Sequence, residues 1–459
     1  MKRKYLLGLC ASITATALIL GGCSGKNKDT EADNAIIEID EVSDVDDKGA
    51  DEEADAEADA SKEQEADNKE DEESRVFDTT SEIVNNNGHF VMVDDKIYFH
   101  VVDADAMGKT SLWGNYADSE CGRTILYEYD PETGELNIKD YDYASGIIAV
   151  NGSDMYYYGY KENGEDIDSF ISGYSLKNDK RMDKSITGIK SILGASEDGR
   201  YLLVLDYDYW NNENEGVKLQ LFSDGELNSE YNIEKYCSNV KVGENDVFFI
   251  QGSTETGYEL MDLNIISGEM TDLGELPTFE YSEWAGYVDQ CILTDDAIYF
   301  TYSLYEGTGN FFAEGYYVKA EIGMEASLSY ADMPPMDQEG YAPFAVKDGE
   351  MVKAEGVPGS CGTNEDGELG YYDEDGKFIA VIEGFGYENL SEDGDHRTTE
   401  IAEKIGDSIY VIYNDNARAP EDDVGWRYAY YRKHADYYRI DIKTGKLTEL
   451  VKQVGPMGE

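Results

Sequence analysis

The stretch Tyr437-Tyr438-Arg439-Ile440-Asp441-Ile442-Lys443-Thr444-Gly445-Lys446-Leu447 reads as a strand, a tight turn and the start of a second strand. The same pattern stands at Leu126-Tyr127-Glu128-Tyr129-Asp130-Pro131-Glu132-Thr133-Gly134-Glu135-Leu136, and more loosely at Met261-Asp262-Leu263-Asn264-Ile265-Ile266-Ser267-Gly268-Glu269-Met270. Its chemistry is that of a turn. An Asp or Asn accepts hydrogen bonds from backbone two residues on, a hydroxyl residue does so more weakly, and Gly takes the positive φ that other residues resist.

Working outward from this turn, a larger period emerges. An apolar strand, a short turn of Asp, Gly, Asn or Ser, and a strand of alternating aromatic and β-branched residues recur seven times. The second strands centre on Ile97-Tyr98-Phe99, Met155-Tyr156-Tyr157, Tyr201-Leu202-Leu203, Val247-Phe248-Phe249, Ile298-Tyr299-Phe300, Met351-Val352-Lys353 and Ile409-Tyr410-Val411. The turns before them, from Asp94-Asp95 through Asp348-Gly349 to Gly406-Asp407, are hairpin turns. The spacing of roughly 46 to 58 residues is near that of a four-stranded propeller blade. The expected fold is therefore all-β: a β-propeller of seven four-stranded blades from about Phe90 to Val451, in which radial closure leaves only short edges. In blade one the last two strands are expected at Thr124 to Asp130 and Glu135 to Asp140, and in blade seven at Asp436 to Ile442 and Lys446 to Val451.

The Asp-x-x-Thr-Gly turn and the blade spacing resemble the β-propellers of the TolB-like and YWTD-type repeat families, and most of all the propeller lipoproteins of Gram-positive bacteria. The resemblance spans about four fifths of the chain and implies the fold rather than a function. Closed propellers of such families often complete a blade with strands from both termini. Here the seventh unit is expected to be complete from Ile401 to Val451, with Val76 to Thr80 as an added outer strand, which leaves the mode of closure and the count of seven open.

The ends of the chain carry an address. Lys2, Arg3 and Lys4 precede an apolar run from Tyr5 to Leu20, and Leu20-Gly21-Gly22-Cys23 follows, which is the layout of a secretory signal. It resembles the bacterial lipobox, which implies that Cys23 is lipidated and becomes the new N-terminus; the alternative of a membrane span is disfavoured by the shortness of the run. From Ser24 to Ser74 the chain is crowded with Asp, Glu and Ala, with 22 acids against 5 bases, a composition that cannot bury enough apolar surface to order itself. We therefore expect a signal peptide over 1–22, an acidic tether over 23–75 able to reach about 150 Å when stretched, and the propeller over 76–455. The expected location is the outer face of the cell membrane, held by the lipid.

With 98 acidic and 37 basic residues among 459, the chain carries a net charge of −61. Roughly −45 of this belongs to the propeller region, so the acidity is not only a tail effect. Such a charge argues against nucleic-acid binding and favours solubility or cation binding, and a monomer is expected.

Topology locates the candidate site. When blade strands alternate in direction, the second-to-third connections and the blade-to-blade connections open on one face, and the tight turns open on the other. The segments Asp103 to Arg123, Tyr207 to Gly216, Leu304 to Phe312, Gly356 to Glu368 and Asn414 to Ala435 are all read as second-to-third loops, and long loops on a rigid scaffold carry binding. Trp113, Trp210 and Trp426 fall in these loops and Trp284 in the connection before blade five. Such rings either stack on sugars or anchor partners, or fold back as small local cores. The run Trp426-Arg427-Tyr428-Ala429-Tyr430-Tyr431-Arg432-Lys433-His434 is a basic aromatic island in an acidic chain. Arg427 and Arg432 either grip carboxylates or sulfates through their forked guanidinium groups or pair with neighbouring acidic loops.

No catalytic residue and no resident cofactor is assigned from the sequence. Asp103-Ala104-Asp105 and Asp206-Tyr207-Asp208 leave Ca2+ open at an acidic loop, although neither continues as a twelve-residue calcium loop. His89, His100, His396 and His434 have no metal-ligand spacing, and neither a nucleophile elbow nor a phosphate loop is found. Of the cysteines left after Cys10 and Cys23, a bridge between Cys237 and Cys291 and a set of buried free thiols, with Cys121 and Cys361, both remain open. The leading expectation is a surface-tethered binding or scaffolding protein that recognises an extracellular glycan, a peptide, or a membrane or cell-wall protein on its loop face. The alternatives are a polysaccharide-acting enzyme using loop carboxylates, and an assembly or sensing lipoprotein that docks a membrane complex.

Overall fold

The computed structural model describes residues 81–102, 124–142, 146–163, 166–182, 186, 190–206, 217–233, 235, 237–253, 255–278, 286–306, 311–336, 343–389, 396–415 and 435–452. Every described element is a strand, paired antiparallel with its neighbours. Unit one holds β1 (Ile83–Val84), β2 (Phe90–Val93), β3 (Lys96–Val102), β4 (Thr124–Tyr129) and β5 (Leu136–Asp142). Unit two holds β6 (Ala149–Asn151), β7 (Asp154–Asn163), β8 (Asp166–Ser175) and β9 (Lys180–Arg181), and unit three β10 (Lys190–Ala195), β11 (Leu202–Asp206), β12 (Val217–Ser223) and β13 (Glu226–Ile233). Unit four comprises β14 (Cys237–Val242), β15 (Asp246–Ser253), β16 (Gly257–Asn264) and β17 (Met270–Leu276), and unit five β18 (Tyr287–Leu293), β19 (Ala297–Glu306), β20 (Phe311–Glu321) and β21 (Ser329–Tyr330). Unit six is divided into a hairpin, β22 (Phe344–Lys347) with β23 (Glu350–Lys353), and a three-stranded sheet, β24 (Cys361–Thr363), β25 (Glu368–Tyr372) and β26 (Phe378–Glu383). Unit seven holds β27 (Glu388–Asn389), β28 (His396–Ile405), β29 (Ser408–Asp415), β30 (Asp436–Asp441) and β31 (Leu447–Val451).

Each of the seven expected second strands is present and pairs with the strand before it. The Asp94-Asp95 turn joins Val93 to its partner Lys96, with both turn residues at positive φ, the twist a two-residue hairpin needs. The Asp-x-x-Thr-Gly turns form as read. Asp441 Oδ1 accepts the Thr444 N–H at 2.8 Å and Asp441 O the Gly445 N–H at 2.8 Å, with Gly445 at φ +64°. Asp130 and Asn264 do the same in their copies, accepting from Thr133 at 3.1 Å and from Ser267 at 3.0 Å.

The sheets pack face to face in a ring, and the second strands show why they are continuously apolar. Successive side chains point to opposite faces of a strand. Leu203 and Leu205 of β11 pack toward unit four, while Leu202 and Val204 pack toward unit two. Likewise Val247 and Phe249 of β15 face unit three, and Phe248 and Ile250 face unit five. With both faces buried there is no polar face to alternate with. Each fully buried large apolar side chain contributes about 1.5–3 kcal/mol.

The ring closes. Phe90, Ile97, Phe99 and Val101 of unit one share a core with Ile405, Tyr410, Ile412 and Tyr437 of unit seven. Phe90 lies 5.5 Å from Tyr410 and Phe99 lies 5.6 Å from Tyr437, ring centre to ring centre. Unit seven is built from one continuous stretch of chain, as expected, so no blade is shared between the two ends among the described residues.

Several expectations are corrected. The extra strand of unit one is β1 on the β2 edge, paired Ile83 to Val93, whereas Val76 to Thr80 lies outside the described residues. The expected loop Leu304 to Phe312 is mostly strand, because β19 continues to Glu306 and β20 starts at Phe311, paired with each other. Gly356 to Glu368 is likewise not a plain loop: Cys361–Thr363 is β24, and it turns back through Asn364 to Gly367 onto β25. The β25–β26 turn then returns to the end of β23, where Gly376 O accepts the Glu355 and Gly356 N–H groups at 3.0 and 3.1 Å. Cys237, Cys291 and Cys361 are free thiols. The first two sit in different cores, between units three and four and between units four and five, so the bridge between them does not form. Burial pushes the thiols of Cys237 and Cys361 up to about 12.

Candidate functional site

The antiparallel order sends the tight turns to one end of the blades and the long second-to-third connections to the other. Three of those connections are rooted on paired strand ends: Val102 with Thr124 in unit one, Asp206 with Lys218 in unit three, and Tyr413 with Asp436 in unit seven. In units two and four the corresponding connections are short, 164–165 and 254–256. Two of the three long connections therefore flank the joint between units seven and one. Trp113, Trp210, Trp284, Trp426, Arg427, Arg432, Cys23 and Cys121 all lie outside the described residues, as do Asp103-Ala104-Asp105 and Asp208.

What the structure places near these roots is a set of buried polar side chains. His100, two residues before the end of β3, is 6% exposed, and its ring meets that of Tyr157 edge-on at 4.5 Å. Neither ring nitrogen has a hydrogen-bond partner among the described residues. Burial pushes the imidazole down to about 3, so it is neutral at physiological pH. On unit five, Asp289 accepts the Ser303 hydroxyl at 2.8 Å, and burial holds its carboxyl above the ordinary range. On unit seven, the Asn414 carboxamide, 2% exposed, donates to Glu400. These groups can donate and accept hydrogen bonds at the base of the loop end. Among the described residues no three His, Cys, Asp or Glu side chains are arranged to hold a metal ion.

The most developed polar constellation was not anticipated, and it lies on the axis. Asn85, Asn86, Asn87 and His89 connect β1 to β2 and bond to four units at once. Asn86 Nδ2 donates to Val150 O at 2.9 Å and to Ser196 O at 2.7 Å, while its Oδ1 accepts the Val150 N–H at 2.7 Å. One unit-one side chain thus touches the first strand of unit two and the end of that of unit three, which only the centre of a ring permits. Asn87 pairs in both directions with the Ala195 backbone, at 2.8 and 2.6 Å. On the other side Glu403 of β28, 4% exposed, accepts the His89 N–H at 3.0 Å, the Phe90 N–H at 2.9 Å and the Asn85 carboxamide at 2.8 Å. His89 Nδ1 lies 3.2 Å from the same carboxylate. Asn85 and Asn87 stand at φ +61° and +69°, a conformation Asn tolerates better than most residues. Gly88, which follows Asn87, has no room for a side chain, since a Cβ would meet Asn85 Nδ2 at 2.3 Å and Glu403 Oε2 at 2.9 Å.

Carboxamides recur at other joints. Asn239 accepts the Val288 N–H at 3.3 Å and donates to Gly286 O at 3.0 Å, and Gln290 pairs both ways with the Phe344 backbone at 2.7 and 3.0 Å. Both side chains sit at β-bulges in first strands, between Ser238 and Lys241 and between Val288 and Cys291. A bulge re-aims a side chain off the pleat, here onto the next unit. An amide that both donates and accepts substitutes for a strand's own backbone where no strand can pair.

No protein-family model and no curated protein sequence matches the chain. Among solved structures, the β-propeller domain of the Trilobed protease from Pyrococcus furiosus matches with a TM-score of 0.41 and 12% identity, over 82% of this chain and 98% of that one. A study of two prolyl endopeptidases gives a match with a TM-score of 0.42 and 13% identity, over 82% of this chain and 50% of that one. An acylaminoacyl peptidase from Pyrococcus horikoshii matches at 0.41 and 10% identity, over 81% and 53%. The chain spans about half the length of these last two structures.

Proposed function

We propose that this chain is a surface-displayed binding or scaffolding protein, lipidated at Cys23, that holds a glycan, peptide or envelope partner on the loop end of its propeller. The observation that carries the reading is the grouping of the long connections. They leave paired strand ends on one end of a closed ring, and two of them flank a single joint. Rigid elements that carry variable loops position a binding surface at low conformational cost. In this reading Trp113, Trp210, Trp284 and Trp426 supply aromatic area, and Arg427 and Arg432 supply forked donors for carboxylate or sulfate. Ca2+ at an acidic loop is part of the proposal, and the acidic residues 23–75 serve as spacer from the membrane.

A binding array of glycans and cell-wall fragments tests it, with the soluble chain applied in calcium and again in chelator. The expected result is capture of a restricted ligand class, weakened at least tenfold by Trp426→Ala or by Arg427→Glu with Arg432→Glu. A silent array together with a specific protein partner in pull-downs would replace glycan recognition by docking to a membrane complex. Capture unaffected by every one of these substitutions would place the surface elsewhere.

A further inference from the structure

We infer that Ile83 to Phe90 is a latch that governs closure of the ring at the joint between units seven and one, and with it the spacing of the two long-connection roots that flank the joint. Elsewhere in the ring, consecutive units are joined by continuous chain, which limits how far they can part. Units seven and one are adjacent only through space, and their axial ends meet through Glu403. That carboxylate bonds the N–H groups of His89 and Phe90 and the carboxamide of Asn85, all from one short segment. The segment is fixed from behind by Asn86 and Asn87 on units two and three, and from its start by β1 and the mutual bonds of Glu82 and Asp94 at 2.9 Å. Phe90, the last residue of the latch, is also the first of the aromatic core that fills the joint. Withdrawing the segment removes Phe90 from Tyr410 and Tyr437 in the same movement. Among the described residues the chain enters the ring at Ser81, two residues before β1, so the latch is the first described segment of the chain.

The inference stands apart from the identity of any ligand, and its test needs none. Hydrogen exchange is followed by mass spectrometry on the full chain, comparing wild type with Glu403→Gln, Asn85→Asp and Asn239→Ala. Asn85→Asp keeps the size and the tolerance for positive φ while facing one carboxylate with another, so it breaks the same contact from the other side. The latch variants are expected to raise exchange about tenfold in peptides covering Phe90–Val101, Thr124–Tyr129 and Ile405–Tyr413. Peptides covering Val247–Ile250 and Ile298–Phe300 should stay within about twofold. Asn239→Ala should show the reverse distribution. Unchanged exchange at the closing joint in both latch variants, or an equal rise in every unit, would overturn the inference.

Discussion

The joint between units seven and one and the joint between units four and five solve the same packing problem with different chemistry. The latter is filled mainly by aliphatic residues, Ile250, Leu260, Leu273, Val288, Ile298 and Val318, together with Phe248, Tyr258, Phe300 and Tyr302. It is pinned by the neutral carboxamide of Asn239, and its rim is zipped where Ala326 and Leu328 donate to Asp272 O and Leu273 O at 3.1 and 2.9 Å. The closing joint stacks Phe90, Phe99, Tyr127, Tyr410 and Tyr437. It is pinned by an ionisable carboxylate at the axis, and farther out by Arg439, which donates to Ser408 and to Pro131 O at 2.9 Å each. Hydrogen bonds to charged groups contribute about twice as much as neutral ones. At the joint between units four and five, where the chain supplies continuity, the Asn239 carboxamide is joined by the Asp262 carboxylate, which accepts the Gly323 N–H at 2.8 Å. Where the two ends of the ring only touch, aromatic rings make up a larger share of the core, and one carboxylate, that of Glu403, takes three bonds from the facing unit.

The comparison breaks most easily at Phe90. Phe90→Ala is expected to cost about 3–5 kcal/mol in urea unfolding, because the ring is fully buried and a cavity would open on the joint that lacks chain continuity. Leu260→Ala at the other joint should cost about 2–5 kcal/mol, with the loss confined to units four and five. Equal loosening of both joints by either substitution would show that the two are not distinct.

A smaller effect separates by pH the joint between units one and two, where His100 meets Tyr157, from the joint between units four and five. His100 is held down to about 3 from an ordinary 6.5, so the stability of its neutral form is complete above 6.5 and declines as the pH falls from there toward 3. Asp262, buried on unit four with Oδ2 accepting the Gly323 N–H of unit five at 2.8 Å, is pushed up to about 6 from 3.8, mainly by burial. Its protonated form fits the folded chain, so its contribution is complete below 3.8 and is lost as pH rises through 6. His100→Phe should therefore flatten the fall in melting temperature between pH 7 and about 4. Asp262→Asn should raise the melting temperature near pH 7.5 and leave it unchanged near pH 3.5. Melting curves at these four pH values check both, and the opposite signs would refute the assignment of either group.

Much of this fold is legible in the chain because it is written in local chemistry. The turn at Asp441 to Gly445 needs only its own residues, and the second strands declare themselves because both of their faces are buried. The division of unit six was less legible. Asn364-Glu365-Asp366-Gly367 and Asp373-Glu374-Asp375-Gly376 are two turn signatures in close succession, and they were the available sign that an extra strand lay within the expected loop. At Leu304 to Phe312 the strands continue past the expected boundary because Tyr305 pairs with Phe312, their rings 5.9 Å apart. The axial side chains were the least legible. Asn86 finds Val150 and Ser196 far along the chain, and nothing in a local pattern encodes partners at that distance. The visible trace was polar residues interrupting apolar first strands, as at Asn239 and Gln290.

The account depends most on the ring being closed between Phe90 and Tyr410. A double-mutant cycle with Phe90→Leu and Tyr410→Leu, followed by urea unfolding, tests this directly. Closure predicts a coupling of about 0.5–1.5 kcal/mol between two residues more than three hundred positions apart. Additivity of the two substitutions within about 0.3 kcal/mol would contradict it.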